Sequence, residues 1–88
     1  MYESHGFPTP TKPFPDGSGA GYYYVTACRL ARKEVLNKEE LEYLQEVDFS
    51  CDLGTYHFWL ACCFFLREDR EGAFENLDAG VEYFNNHG

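Results

Sequence analysis

After Pro15 the sequence contains no proline, and its 88 residues hold only seven Lys/Arg against fifteen Asp/Glu. Each shortage excludes something. From Tyr22 onward no residue locks φ or removes a backbone N–H, so helices can run there without a built-in break. The scarcity of cations leaves a net charge of -8 and a pI near 4.6. Such a surface repels phosphates, which argues against direct binding to DNA, RNA or an anionic membrane. The longest apolar run, Phe58 to Leu66, is about half the length that crosses a bilayer. The chain also lacks a glycine-rich phosphate loop, a nucleophile elbow and a metal-binding pair of histidines on a helix. The expectation is therefore a non-enzymatic protein with no cofactor, no metal and no membrane contact.

Hydrophobic residues make up 44% of the chain and charged residues 25%, a composition that folds. Aromatics reach 18%, almost all Tyr and Phe. Large rings bury much area each, which is one way for a small domain to become stable without staples. The cysteines, Cys28, Cys51, Cys62 and Cys63, show no Cys-x2-Cys spacing. Cys62 and Cys63 would point about 100° apart on a helix, so they read as core thiols rather than as ligands. Their apolar surroundings raise a thiol pKa and quench its reactivity. No basic start followed by an apolar run and a small-residue cleavage site is visible, so the reading is a cytoplasmic protein with reduced thiols.

Two regions follow from the punctuation. Residues 1–19 hold Pro8, Pro10, Pro13 and Pro15 and then Asp16-Gly17-Ser18-Gly19, the pattern of an extended arm. Phe7 and Phe14 are its candidates for folding back onto the rest. Residues 20–88 read as a single helical domain. Tyr24, Ala27, Cys28, Ala31 and Val35 make one stripe of a helix over 20–35. Asn37 with Glu40 is a capping-box pattern, flanked by Leu36 and Leu41 as a hydrophobic staple. It predicts a second helix over 38–47 that buries Leu41, Leu44 and Val47. The run Phe58–Leu66 has no polar face and predicts a central helix over 55–67. Asp69 caps a last helix with Ala73, Leu77, Gly80, Val81 and Phe84 inward, ended by Asn85, Asn86 and Gly88. The fold class is all-α: a small bundle of about four short helices, two helical hairpins, preceded by the arm.

Residues 57–84 resemble a tetratricopeptide repeat on Leu60-Ala61 and Phe64 in the first helix, with Ala73, Leu77 and Gly80 in the second. His57 stands where the family carries tryptophan, and no proline closes the unit. The resemblance implies close helix packing through small residues and an adaptor that holds a peptide between its hairpins. Tyr22, Tyr23, Tyr43 and Trp59 would be its contacts.

The charges point elsewhere. Glu71, Glu75, Asp78 and Glu82 fall at i, i+4, i+7 and i+11, one line along the outer face of the last helix, and no Lys or Arg follows Arg70. Glu39, Glu42 and Glu46 draw a similar line on the second helix beside Lys38. At a rise of about 1.5 Å per residue, neighbouring carboxylates stand roughly 5–6 Å apart along the axis, near the phosphate spacing of a nucleic-acid strand. A merely solvated helix usually alternates its signs. The leading expectation is thus an acidic interaction module that docks on, and blocks, a basic surface of a partner protein, a nucleic-acid-binding surface among the candidates. Small phage-type antagonists of restriction or CRISPR machinery are similar in size and charge. A second copy of the chain is a further candidate partner, through the tyrosines at 22–24. One arrangement would remove the argument: the cluster Arg29/Arg32/Lys33 folding across the acidic lines.

Overall fold

Asn37 opens its helix as the capping box requires. Its side chain accepts from the Glu40 N–H at 2.9 Å, and the Glu40 carboxylate accepts from the Asn37 N–H at 3.0 Å. Asp52 and Asp69 cap the two helices that follow, accepting from the N–H groups of Thr55 (2.7 Å) and Gly72 (3.0 Å). These bonds satisfy donors that the first turn of a helix otherwise leaves orphaned. A computed structural model describes Phe14 and residues 19–46 and 52–87. Among the described residues it is all-helical: α1 (Ala20–Ala31), α2 (Lys38–Gln45), α3 (Leu53–Leu66) and α4 (Arg70–His87). The extended conformation expected for residues 1–19 lies outside the described residues, apart from Phe14 and Gly19, as does Val47.

Helix α1 stops four residues before the hydrophobic period does. The Lys33 N–H bonds the Leu30 carbonyl and the Glu34 N–H reaches back to that of Arg29, with Lys33 in the left-handed region at φ 65°. This is the reversed, hydrogen-bonded close that usually carries glycine. Val35, expected on the inner stripe, is consequently 90% exposed in the connection. Helix α3 closes the same way, with Glu68 at φ 63° and the Asp69 N–H bonded to the Phe64 carbonyl. Asp69 thus ends α3 and caps α4, which makes the connection between them short. Helix α4 runs to His87, with the expected stop residues Asn85 and Asn86 in its last turn. Residues that are poor in a helix interior are tolerated in its final turn.

Helix α3 is the centre of the packing, with α4 antiparallel on one side and α1 parallel on the other. Phe58 meets Gly80 and Phe84 of α4, and Phe65 sets its edge against Phe74 at 5.3 Å. Toward α1, Phe58 lies 5.3 Å from Tyr24, and the Cys62 thiol faces the Tyr23 carbonyl at 3.4 Å. Phe14 packs into the same aromatic group, 5.1–5.5 Å from Tyr24, Phe58 and Phe84. The expected stripe Ala73, Leu77, Val81 and Phe84 is buried, together with Gly80. Helix α2 sits at the margin. Its tertiary ties include Leu44, the partly buried Leu41, the Tyr43 ring, the bond from Trp59 Nε1 to the Leu44 carbonyl at 2.7 Å, and the Arg29–Glu40 ion pair. No helix of the described residues is long and apolar enough to cross a membrane.

Candidate functional site: the acidic faces and the cations around them

The inward stripe of α4 turns its opposite side to water, and Glu71, Glu75, Asp78 and Glu82 are all exposed there. None of them makes an ion pair among the described residues. Asp78 is held above the usual carboxylate range, first because partial burial strips it of water and then because the Glu82 charge lies close.

Three of the cations that could have crossed this face are committed elsewhere, and Lys33 is exposed without an ion pair among the described residues. Arg29 pairs with Glu34 at 3.2 Å and also with Glu40, and Arg32 pairs with Glu34 at 3.3 Å. Arg70, the only Lys or Arg in α4, donates from Nη1 to the Ala31 carbonyl at 3.1 Å and lies over the rings of Phe65 and Phe74. The cluster Arg29/Arg32/Lys33 therefore does not neutralise either line among the described residues. These pairs have readable consequences. The Glu40 carboxyl lies below its ordinary range, chiefly through the Asn37 N–H and next through Arg29. That of Glu34 is lowered by Arg29 first and then by Arg32.

The second line is less bare. Glu39, Glu42 and Glu46 are exposed, and Lys38 stands 4.0 Å from Glu42. Both members of that pair are well solvated, 90% and 57% exposed, so it contributes little.

The four aromatic residues expected for a peptide groove gather where α1, α2 and α3 meet. Tyr22 and Tyr43 are 39% and 45% exposed, with ring centroids 4.5 Å apart. Tyr23 is buried behind them at 5.7 Å from Tyr22 and 5.8 Å from Tyr43. Trp59 stacks on Tyr56 and spends its indole N–H on Leu44, so its ring serves the attachment of α2.

Three thiols fall among the described residues, and Cys51 lies outside them. Cys62 is fully buried, Cys28 and Cys63 partly, and burial pushes all three thiols up. His57 meets the Asn76 side-chain oxygen at 3.0 Å, and the Asn76 amide donates to the Gly72 carbonyl at 2.9 Å, which orients the amide and makes the His57 Nδ1 the donor. That pair ties α3 to α4. Sequence reasoning missed a recess lined by Leu30, Lys33, Glu34, Phe65, Leu66, Glu68 and Arg70. Its available signal was the recurrence of basic residues at two helix ends, Arg29-Arg32-Lys33 and Arg67-Arg70.

No family model matches the chain, and no curated protein or solved structure matches it.

Proposed function

We propose that the chain is a non-enzymatic interaction module whose acidic face on α4 docks on, and thereby blocks, a basic surface of a partner protein. The observation that carries this reading is that the row on α4 has no ion pair while the nearby arginines are engaged elsewhere. Arg29, Arg32 and Arg70 are each engaged away from Glu71, Glu75, Asp78 and Glu82, which stay exposed without an ion pair among the described residues. Like charges at helical spacing lower helix stability, so a row of this kind costs the fold something at neutral pH. A cationic partner would offset that cost on binding and would be drawn to the face over a distance set by ionic strength. Glu39, Glu42 and Glu46 extend the same chemistry to α2. Carboxylates at this spacing suit a groove built for phosphates, which makes a nucleic-acid-binding protein the favoured partner class.

The test is capture of partners from the native host on immobilised chain at low and high salt, with the double variant Glu75→Lys, Asp78→Lys alongside. The reading expects a basic protein that is retained at low salt, released at high salt and not retained by the variant. Retention of the same protein by a folded double variant contradicts it.

A second reading, a repeat-like adaptor for a peptide, draws on the exposed Tyr22–Tyr43 pair. It differs in its salt response, because contact with apolar rings is not screened. Under it the capture would survive high salt and fail with Tyr22→Ser, Tyr43→Ser.

A further inference from the structure

Helix α3 has no polar side, and a helix that is apolar all round is normally buried all round. Here it packs on α1 and α4 and leaves its third side to water. At about 100° per residue Phe58, Ala61 and Phe65 point into the core, and Leu53, Tyr56, Leu60, Cys63 and Arg67 fall on the opposite side. The steps between these five are three, four, three and four residues, the spacing of a seam between two helices. Leu53 is 55% exposed, and Tyr56, Leu60 and Cys63 are partly exposed.

The surroundings continue this uncharged surface. Residues 53–66 form the longest stretch of the chain without Asp, Glu, Lys or Arg. The flank of α4 beside the stripe is Gly72, Asn76 and Tyr83. A β-carbon on Gly72 would stand 3.3 Å from the Phe64 ring, Asn76 meets His57 at 3.0 Å, and Tyr83 lies against Gly54. Glu71, Glu75, Asp78 and Glu82 run along the other flank of that helix. The exposed Tyr22–Tyr43 pair is placed differently, because Glu39 and Glu46 stand one turn either side of Tyr43. In a chain of net charge -8, two copies that met there would bring carboxylates together, and two that met through α3 would not.

The ends of the stripe carry opposite charges. Asp52 caps the start of α3, and Arg67 follows its end, exposed and without an ion pair among the described residues. A twofold axis at Leu60 matches each residue with the one equally far on the other side. Leu60 then meets Leu60, Tyr56 comes to Cys63 and Phe64, and Arg67 reaches Leu53 beside Asp52 of the other copy. A parallel pairing would set Arg67 on Arg67 and Asp52 on Asp52, so the end charges select the antiparallel one.

We infer that this side of α3 is the interface of an antiparallel homodimer, with α3 packed on α3 of a second copy. Fourteen residues make a helix about 21 Å long, a smaller contact than the roughly 800 Å² per partner of a standard interface. The dimer is therefore weak, forming between micromolar and millimolar chain. It leaves the acidic line of α4 uncovered and does not rest on the function proposed for that line.

The test is sedimentation of the full chain over that concentration range at low and high salt. Salt screens the repulsion between two acidic copies, so dimerisation should tighten as salt rises, the reverse of docking on a basic partner. Amide shifts that change on dilution should centre on Leu53, Tyr56, Leu60 and Cys63. Leu60→Glu sets two carboxylates against each other at the axis, and Leu60→Lys two ammoniums. Each should weaken the dimer about a hundredfold or more, with helix content unchanged because Leu60 lies outside the core. Mixed together, the two variants should recover an association that neither shows alone. A chain that stays monomeric at millimolar concentration in high salt overturns the inference. So does a dimer that salt dissociates, that leaves its shifts on Tyr22 and Tyr43, or that Leu60→Glu leaves intact, and so does a variant mixture that fails to associate.

Discussion

The ring of Phe58 fills the space that a side chain on Gly80 would need: a β-carbon built on Gly80 stands 2.6 Å from Phe58 Cε1 and 3.1 Å from the Gly54 carbonyl oxygen. The relation is reciprocated one turn away, where a β-carbon on Gly54 would meet Phe84 at 2.5 Å. Two glycines on facing helices thus let α3 and α4 approach closely enough for aromatic rings to fill the gap. That approach presents the opposite side of α4, with its carboxylates, to water.

Gly80→Ala sets two effects against each other. Alanine favours a helix interior over glycine by about 1 kcal/mol, whereas overpacking a full core costs about 1–3 kcal/mol. Phe58 is 0% exposed and hemmed in by Phe14, Tyr24 and Phe84, so its ring has nowhere to go. The clash wins. With the clash at the upper end of that range, the expected net loss is about 2 kcal/mol, seen as a fall of about 8–16 °C in the Tm of a domain this size. An unchanged Tm would show that the helices do not cross at this point.

Trp59→Phe removes the donor that holds the Leu44 carbonyl, one of the end-of-helix acceptors that α2 cannot satisfy by itself. The global loss should be about 1 kcal/mol. The local effect should be larger relative to it, because α2 has few other ties. Amide hydrogen exchange should quicken across residues 38–45 while α3 and α4 keep their protection. Uniform loss of protection would place α2 inside the cooperative core instead.

Acid should weaken the fold partly through Glu40. Its folded pKa is depressed below the ordinary 4.5 by the Asn37 N–H and by Arg29. A depressed carboxyl contributes stability that is present above its unfolded pKa and is lost as pH falls through the lower folded value. Tm against pH should therefore decline below pH 4.5 in the wild type, and Glu40→Gln should flatten part of that decline while lowering Tm at neutral pH.

Asp78 has the opposite sign. Partial burial and then Glu82 raise its carboxyl, so the folded state holds the proton more tightly and the ionised form opposes folding. Stability is gained as pH falls through the raised value and is fully present below the unfolded one. Asp78→Asn should raise Tm at neutral pH and low salt. The gain should vanish by about pH 3, where both states are protonated. Glu82→Gln should reproduce part of it. A neutral-pH destabilisation by Asp78→Asn would mean that neither lost hydration nor the Glu82 charge opposes its ionised form.

The beginnings of the helices were legible because their signals are local. Asn37 with Glu40, and Asp69 before α4, act within three residues of themselves. The end of α1 was not, because its stop is a lysine in a glycine conformation and Val35 continues the apolar period past it. Phe74 was missed for a related reason: the stripe 73, 77, 80, 81, 84 was already complete, and only the Phe65 ring across the interface explains its burial. The acidic lines could be read from spacing alone. Whether cations folded over them could not, since Arg29, Arg32 and Arg70 reach partners set by tertiary packing. The recess leaves only the basic residues at the helix ends as a sequence signal, because its walls are assembled from two helix ends and the start of a third.

The most direct measurement is the affinity for the captured basic partner as a function of salt, repeated with Glu71→Gln, Glu75→Gln, Asp78→Asn and Glu82→Gln one at a time. If the α4 face makes the contact, log affinity falls steeply with log salt, and each neutralisation lowers both the low-salt affinity and the slope. A slope that all four variants leave untouched would contradict the account.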